Sequence, residues 1–460
     1  MLTLERKLNK YIFRGYDIRG VYPTDLTGNV AYTIGKSFGT YIKRLGHYTA
    51  VVGRDNRYSS DELAEGLIEG IRETGVNVID LGLCTTPMYY YACIKLNNPT
   101  GIMVTASHNP KDDNGFKFAF DERGNARGEM IEEFRDFTMN FEFDTAESKG
   151  LLAHYNIRNE YIDLYKKSLN FGDRRIKVVI DLGNGTTSCI AEELYKLFPI
   201  DVDVLFGDSD PSFPNHHPDP CVEKNLEALK KRVVETHADL GIGFDGDGDR
   251  LGVIDEKGTF IPTDKYMIMI IRDIIDKVEK KEFLYDVKCS KSLSDEIEKL
   301  GAKGICYRTG NSYTKAKVKD DNIPFGGELS GHVYFNDRWP CFDSGLYAGL
   351  RLIEILSKTN KTTSELISGI NEYYSTEELK FPSSDDKKFA IVGKIKEYCL
   401  SKQYDVNDID GVRVTFNYGW GLVRCSNTGP NITARFEANT KENLEKIQKE
   451  FVDLINTYNV

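Results

Sequence analysis

The sequence predicts an α/β protein made of three similar mixed α/β domains followed by a smaller α+β domain. Up to about residue 370, short apolar runs typical of buried strands alternate with segments of helical period, and this pattern occurs three times. Beyond that point strand-like segments follow one another, as in an antiparallel sheet. The predicted domains span residues 1–150, 151–255, 256–370 and 371–460, and this length is enough for several cores.

Each of the first three domains is assigned from its own strands and helices. In domain 1 the predicted strands are 50–53 (AVVG), 76–81 (VNVIDL) and 102–105 (IMVT), and a helix starts at Ser59, with Glu62 completing a capping box. In domain 2 the predicted strands are 177–181, 202–206 and 240–244, with helices near 187–197 and 226–237. In domain 3 they are 283–287 and 304–307, with helices near 265–280 and 346–357.

The last domain has a different order of elements. A helix over 389–400 precedes the predicted strands 412–418, 421–426 and 432–437. An amphipathic helix over 441–458 closes the chain, with Asn439 or Thr440 as its N-cap.

Composition excludes several classes of protein. Sixty Lys and Arg against 71 Asp and Glu give a net charge of -11, which argues against a nucleic-acid binder with a broad basic surface but permits a local cationic pocket. The densest apolar run, 266–271, is too short to span a membrane, and the N-terminus has no cleavable apolar core. Nine cysteines without CxxC or zinc-like spacing favour a reducing compartment. These features predict a cytoplasmic protein.

The motif DGDGDR (245–250) follows the apolar strand LGIGF. Asp245, Asp247 and Asp249 stand at alternate positions in a glycine-rich loop, where they can converge on one hard cation that offsets their repulsion. Mg²⁺ is the cation that this pattern favours, because Mg²⁺ held by few protein oxygens keeps positions for water or phosphate.

Four other interpretations of that loop rank lower. It could be an acidic surface turn. An EF-hand would need glycine where Arg250 stands, and its flanks would be helices. A dinucleotide site at the GxGxxG match over 241–246 would place a pyrophosphate against the aspartates that follow. A haloacid-dehalogenase-like DxD strand end usually has Thr or Val where Asp249 stands.

A second polar segment, TASHNP (105–110), ends an apolar strand, which is where open α/β sheets place ligands. The hydrolase elbow GxSxG is absent, which argues against acyl transfer at Ser107. A phosphate on Ser107 would instead suit a metal held by the aspartates. Lys117 in GFKF could reach the same centre. The non-functional alternatives are that Ser107 is a cap or turn residue and that Lys117 is a solvated surface lysine.

Two further segments complete the set. In GGELSGH (326–332), Glu328 and Ser330 alternate and can address neighbouring sugar hydroxyls. In RCSNTG (424–429), a guanidinium, hydroxyls, an amide and loop N–H groups form a donor set for a phosphate dianion. Each could be a structural loop, but one such segment in every predicted domain indicates a cleft where the domains meet.

With these segments, the sequence resembles the α-D-phosphohexomutases, specifically the phosphomannomutase/phosphoglucomutase branch. The resemblance is carried by FRGYDIRG (13–20), TASHNP, DGDGDR, GGELSGH and RCSNTGP (424–430), which cover almost the whole chain in order. It implies three similar α/β domains and a smaller α+β domain around a central cleft. The domains would carry, in order, the phosphoserine loop, the metal-binding loop, the sugar-binding loop and the phosphate-binding loop.

The resemblance also implies roles for individual residues. Ser107 would be the phosphorylated serine and would join Asp245, Asp247 and Asp249 in binding Mg²⁺. The catalytic set that it implies is Ser107, His108, Arg19, Lys117 and His332. The substrate-binding set that it implies is Tyr16, Arg250, Lys288, Asn311, Glu328, Ser330, Arg424, Ser426, Asn427 and Thr428.

The implied activity interconverts hexose 1-phosphates and hexose 6-phosphates, of mannose and/or glucose, through a bound 1,6-bisphosphate. The expected activator is glucose 1,6-bisphosphate, and the expected partners are small-molecule hexose phosphates, with no nucleic acid and no membrane, for a monomer or homodimer. The His332 pattern resembles the mannose/glucose branch, whereas Asn311 stands where that branch often has His, so the preferred sugar stays open. The alternatives are a phosphoglucosamine mutase, a hydrolase, and a non-catalytic protein that binds sugar phosphates or divalent metals.

Overall fold

A computed structural model describes residues 2–384, 386–426 and 429–459. The chain divides into two compact units. One contains Met1–Thr263 with Ser330–Leu366, and the other contains Asp264–Leu329 with Ile367–Val460. Within the described residues no helix is both long and apolar enough to cross a membrane.

The first region is a six-stranded mixed sheet with four helices. Its strands are β1 (Asp17–Val21), β2 (Thr49–Arg54), β3 (Asn77–Leu83), β4 (Gly101–Val104), β5 (Asp113–Ala119) and β6 (Leu152–His154). Its helices are α1 (Gly28–Arg44), α2 (Ser60–Glu73), α3 (Thr86–Lys95) and α4 (Glu129–Met139). The strand order is β1-β5-β4-β2-β3-β6, in which β5 is antiparallel to both of its neighbours and the other pairs are parallel.

The second region is a five-stranded sheet in the order β11-β10-β9-β7-β8. In chain order its elements are α5 (Arg158–Ser168), β7 (Ile176–Asp181), α6 (Ala191–Lys196), β8 (Ile200–Leu205), α7 (Glu227–Thr236), β9 (Leu240–Phe244), β10 (Leu251–Asp255) and β11 (Phe260–Ile261). Strand β7 runs parallel to β8 and β9, and β10 is antiparallel to β9 and β11. The glycines of β9 let α7 pack closely, since a Cβ at Gly241 would lie 2.6 Å from Val233 Cγ2.

The third region continues the alternation of helix and strand. Its elements are α8 (Thr263–Ile274), β12 (Glu282–Asp286), α9 (Lys291–Lys299), β13 (Lys303–Tyr307), α10 (Asn311–Asp320), β14 (Phe325–Gly327), β15 (Val333–Phe335), α11 (Gly345–Ser357) and α12 (Thr363–Leu366). Strand β12 is parallel to both β13 and β14. Helix α11 belongs to the first compact unit and lies against β9, where a Cβ at Gly349 would meet Ile242 Cδ1 at 3.0 Å.

The fourth region is antiparallel, as the sequence predicts. Its elements are β16 (Tyr374–Ser375), β17 (Leu379–Pro382), α13 (Lys388–Ser401), β18 (Asp405–Asn407), β19 (Val412–Phe416), β20 (Gly419–Cys425), β21 (Asn431–Ala438) and α14 (Lys441–Tyr458). The strand order is β16-β21-β20-β19-β18, and β17 also pairs with β21. Of the two candidate N-caps of α14, the structure uses Thr440, whose side chain accepts a hydrogen bond from Asn443 N.

The predicted fold class, three mixed α/β regions followed by a smaller α+β region, is confirmed.

The predicted capping box at the start of α2 is wrong. The Ser59 side chain makes no cap bond, and its Oγ accepts a hydrogen bond from Asn114 Nδ2 at 2.8 Å. Glu62 reaches another helix, where its Oε1 accepts from Gly28 N at 2.7 Å. A tertiary contact has therefore replaced the local one, and the carboxylate lies at the N-terminus of α1, where the helix dipole favours negative charge.

Helices α1 and α2 pack at unusually short range because glycines line their contact. A Cβ at Gly35 would lie 2.3 Å from Leu67 O, and a Cβ at Gly70 would lie 2.2 Å from Tyr32 O. Both contacts are with backbone, which cannot move aside as a side chain can. These glycines therefore set the distance between the two helices that cover one face of the first sheet.

We expect Gly70→Ala to lower the free energy of unfolding by about 1–3 kcal/mol, because the added methyl separates α1 from α2 even though alanine favours the helix. The matched control is Gly393→Ala in α13, whose added Cβ would meet no described heavy atom within 4 Å. That control should gain about 0.5–1 kcal/mol. Thermal unfolding measures both, and a Gly70→Ala variant as stable as its parent would contradict the packing argument.

Candidate active site

Ser107 occupies a turn directly after β4 with a left-handed backbone, φ +52°. Its N–H donates to Thr105 Oγ1 at 2.9 Å, and its Oγ donates to Asp245 Oδ2 at 2.7 Å. The DGDGDR loop also packs closely against Ser107, since a Cβ at Gly246 would lie 2.5 Å from Ser107 O. A non-glycine residue in this conformation is strained, and such strain persists only where surrounding contacts enforce it.

Arg57 supplies much of that enforcement, and sequence reasoning missed it. Its Nη2 donates to Ser107 O at 2.8 Å and to Asn109 O at 2.7 Å, while Nη1 donates to Pro110 O and Asp113 O. The guanidinium thus binds four carbonyls of one loop, and its side chain is only 1% exposed. The signal that could have found it is the polar run GRDNR (53–57) at the end of β2, which resembles the other strand-end segments.

The three aspartates of DGDGDR are buried and converge. One oxygen from each of Asp245, Asp247 and Asp249 lies within 4.8 Å of the others. Lys117 Nζ donates to Asp247 Oδ2 at 2.8 Å and to Asp249 Oδ2 at 2.7 Å. Among the described residues, Oδ1 of Asp247 and Oδ1 of Asp249 accept no hydrogen bond. Carboxylate oxygens that are buried and incompletely hydrogen-bonded fit a hard divalent cation.

The three close carboxylates shift the pKa values of the groups in this site. Burial, together with the charges of Asp247 and Asp249, raises the pKa of Asp245 well above its ordinary value. Burial alone would lower the pKa of Lys117, but Asp247 and Asp249 hold it well above the ordinary lysine value. Lys117 therefore stays charged and offsets part of the negative charge.

Arg19 and Lys117 come from neighbouring antiparallel strands. In the β1–β5 pair, Arg19 lies opposite Gly115 and Asp17 lies opposite Lys117, so the two cations project from the same face of the sheet. Arg19 Nε donates to Asp17 Oδ2 at 2.8 Å, and its Nη1 donates to Thr105 O at 2.7 Å. The guanidinium is thereby fixed beside the Ser107 loop.

Three more predicted residues lie around this centre. His108 Nδ1 is 3.4 Å from Ser107 Oγ, and burial, with the charges of Arg250 and Arg19, lowers the pKa of His108 well below its ordinary value. Arg250 Nε lies 3.7 Å from Asp245 Oδ2. Tyr16 is half-buried just before β1 and adds to the electrostatic environment of Arg19.

His332 joins the same cluster through two carboxylates. Its Nδ1 lies 2.8 Å from Asp343 Oδ2 and 3.6 Å from Asp249 Oδ1. Asp343, fully buried, is a second residue that sequence reasoning missed, because it stands in CFDSG without a neighbouring motif. The first unit therefore brings together the predicted catalytic and metal residues.

A separate polar cluster lies in the second unit. Arg424 Nε donates to Asp410 Oδ2 at 2.9 Å. Lys288 Nζ lies 3.7 Å from Glu378 Oε2 and 3.9 Å from Asp286 Oδ2. Although burial opposes it, the charges of Glu378 and Asp286 raise the pKa of Lys288.

The remaining predicted substrate residues have these positions. Glu328, which is buried, directly follows β14 and accepts a hydrogen bond from Gly310 N, and Asn311 is the first residue of α10. Ser330 belongs to the first unit, so it does not fall in the same compact unit as Glu328. Ser426 follows β20. Asn427 and Thr428 lie outside the described residues.

Family models match nearly the whole chain. The models for phosphoglucomutase/phosphomannomutase α/β/α domains I, II and III match residues 10–143, 159–258 and 262–373, and the model for the C-terminal domain matches 378–454.

Individual relatives are similar over nearly their full length. The chain is 39% identical to a phosphomannomutase/phosphoglucomutase of Pseudomonas syringae pv. tomato, over 96% of this chain and 94% of the relative. It is 37% identical to a phosphoglucomutase of Neisseria meningitidis, over 96% of each chain. A crystal structure of a phosphoglucomutase/phosphomannomutase family protein from Burkholderia thailandensis superposes with a TM-score of 0.90 at 35% identity, over 98% of both chains.

We expect Lys117→Met to make stability more dependent on a divalent cation. Removing the ammonium leaves Asp247 and Asp249 without their internal counter-charge, so the protein should unfold at lower temperature in EDTA and recover more when Mg²⁺ is added. The Tm difference between Mg²⁺ and EDTA should grow by at least about 3 °C. Lys111→Met, which removes an exposed lysine, is the control and should leave the difference unchanged. An unchanged difference in Lys117→Met would show that the ammonium does not offset the triad.

Proposed function

The chain belongs to the phosphoglucomutase/phosphomannomutase family, and we propose that it interconverts the 1-phosphate and 6-phosphate of a hexose, mannose and/or glucose. The observation that carries the proposal is the hydrogen bond from Ser107 Oγ to Asp245 within the buried aspartate triad. It joins a potential phosphoryl carrier to a potential cation site at contact distance, which phosphoryl transfer between serine and sugar requires.

Each transfer exchanges one P–O bond for another. The bond between phosphorus and Ser107 Oγ breaks as a bond to the free sugar hydroxyl forms, which gives a 1,6-bisphosphate. The intermediate then turns, and its other phosphate returns to Ser107. Bound Mg²⁺, held by Asp245, Asp247, Asp249 and an oxygen of the phosphoserine, would offset charge on the moving group.

The side chains around Ser107 have separate roles in the transfer. Arg19 and Lys117 place positive charge beside the transfer point, where it stabilises the developing charge and assists delivery of a proton to the departing Ser107 oxygen. His332 accepts the proton of the attacking hydroxyl, with Asp343 against its Nδ1. His108 lies with Nδ1 3.4 Å from Ser107 Oγ, so it could hydrogen-bond a phosphoryl group carried there.

Substrate recognition falls to a second set of residues. In this proposal Arg424, Ser426, Asn427 and Thr428 bind the phosphate that is not being transferred. The sugar and its phosphates are contacted by Tyr16, Arg250, Lys288, Asn311, Glu328 and Ser330. The domain limits 1–150, 151–255, 256–370 and 371–460 belong to the same proposal and are supported by the ranges of the four family models. We extend it to glucose 1,6-bisphosphate as activator and to a cytoplasmic monomer or homodimer.

Ser107→Ala tests the carrier. Intact-protein mass should show that the variant cannot hold the phosphate found on its parent after incubation with glucose 1,6-bisphosphate. In a coupled assay with Mg²⁺ and that activator, kcat should fall by at least about a thousandfold, because the covalent route is lost. Ser401→Ala, at the exposed end of α13, is the control.

Three outcomes would count against the proposal. A Ser107→Ala variant with the parental rate would exclude the serine carrier. Binding of hexose phosphates by the parent without turnover would favour a non-catalytic protein. Net release of inorganic phosphate during the reaction would favour a hydrolase.

Sugar preference needs a separate measurement. We expect kcat/KM for mannose 1-phosphate and glucose 1-phosphate to exceed that for glucosamine 1-phosphate, since relatives 39% and 37% identical to this chain are named phosphomannomutase/phosphoglucomutase and phosphoglucomutase. The highest value for glucosamine 1-phosphate would instead identify a phosphoglucosamine mutase.

A further inference from the structure

We infer that Asp410 is a positioning residue for substrate binding: it orients the guanidinium of Arg424 and fixes the spacing between Arg424 and Glu328. The inference rests on the proposed function, in which Arg424 binds a phosphate and Glu328 binds sugar hydroxyls. No sequence motif includes Asp410.

Asp410 holds one edge of the Arg424 guanidinium. Arg424 Nε donates to Asp410 Oδ2 at 2.9 Å, and Nη2 donates to Oδ1 at 3.4 Å. The two side chains are 5% and 9% exposed, so water competes little for these bonds. A two-point contact between planar groups fixes the plane of the guanidinium, and it leaves the Nη1 donors unused by this pair.

The backbone brings Asp410 to this place through a close turn between β18 and β19. Gly411 has φ +86°, a conformation that favours glycine, and a Cβ there would lie 2.4 Å from Val423 O and 2.6 Å from Arg424 Cβ. The turn therefore lies directly against strand β20 at the residue whose side chain Asp410 binds. Because the backbone itself makes this contact, the position of the carboxylate does not depend on a flexible loop.

Asp410 also reaches the sugar-binding segment. The same Oδ2 accepts a hydrogen bond from Thr309 N at 3.0 Å, and the next backbone amide, Gly310 N, donates to Glu328 Oε1. Thr309 Oγ1 in turn donates to Asp286 Oδ2 at 3.0 Å. Two consecutive amides therefore connect the carboxylate beside Arg424 to the carboxylate proposed for the sugar.

This connection has a consequence for binding. A hexose phosphate must contact both ends at once, so a fixed distance between them lowers the entropy that binding would otherwise cost. Loss of Asp410 should weaken binding of the sugar phosphate much more than it slows phosphoryl transfer at Ser107. A purely structural residue would instead lower stability and activity together.

The test measures binding and turnover in the full chain. On a Ser107→Ala background, which cannot turn over substrate, calorimetry gives the Kd for glucose 6-phosphate. Adding Asp410→Ala should raise that Kd about 30-fold, and adding Asp410→Asn, which keeps one acceptor oxygen, should raise it about fivefold. With Ser107 present, KM should rise in the same order while kcat stays within about threefold. Asp408→Asn, which removes an exposed charge paired with Lys396 in the same turn, is the matched control.

Each result decides between the hypotheses. If Ser107→Ala alone binds no glucose 6-phosphate and the parent has no mutase activity, the proposed function fails. If Ser107→Ala binds the ligand but Asp410→Asn and Asp410→Ala leave its Kd within twofold, the inference fails while the proposed function stands. If Asp410→Ala does not fold, Asp410→Asn alone tests the inference. A lower kcat with an unchanged KM in Asp410→Asn would overturn it.

Discussion

The charge balance among Asp245, Asp247 and Asp249 is the constraint on which the rest of the site depends. Three buried carboxylates this close together repel one another, and burial strengthens the repulsion because little water is present to screen it. Two cations offset this repulsion: Lys117, which comes from β5, and Arg250, which ends the motif itself. Gly246 brings the loop close to the Ser107 backbone, because a Cβ there would lie 2.5 Å from Ser107 O.

In the second unit the buried groups that need a counter-charge are cations rather than carboxylates. Each cation is paired with carboxylates: Arg424 with Asp410, and Lys288 with Glu378 and Asp286. Pairing of this kind keeps a charged side chain buried and correctly oriented before a ligand arrives. In both units, then, the side chains proposed for phosphate chemistry are prearranged by buried partners of opposite charge.

Sequence reasoning recovered the parts of this arrangement that have a local signature. Strands, strand-end loops and the glycine-spaced aspartates are encoded by neighbouring residues, so the fold class and the convergence of Ser107 with the triad could be anticipated. Arg57, Asp343 and Asp410 could not, because each is a single charged residue whose partner is distant in sequence. The capping box predicted for Ser59 and Glu62 is wrong for the same reason. Their side chains accept hydrogen bonds from Asn114 and Gly28, which are distant in sequence.

The contact between Ser107 and Asp245 changes sign when the serine is modified. As a hydroxyl, Ser107 donates its proton to the carboxylate and the contact is attractive. As a phosphoserine it has no proton on Oγ and brings added negative charge, so the same proximity becomes repulsive unless a cation lies between the groups. Phosphorylation and metal binding are therefore thermodynamically linked: each must raise the affinity for the other by the same factor. The phosphorylated, metal-free protein is the state that this geometry disfavours most.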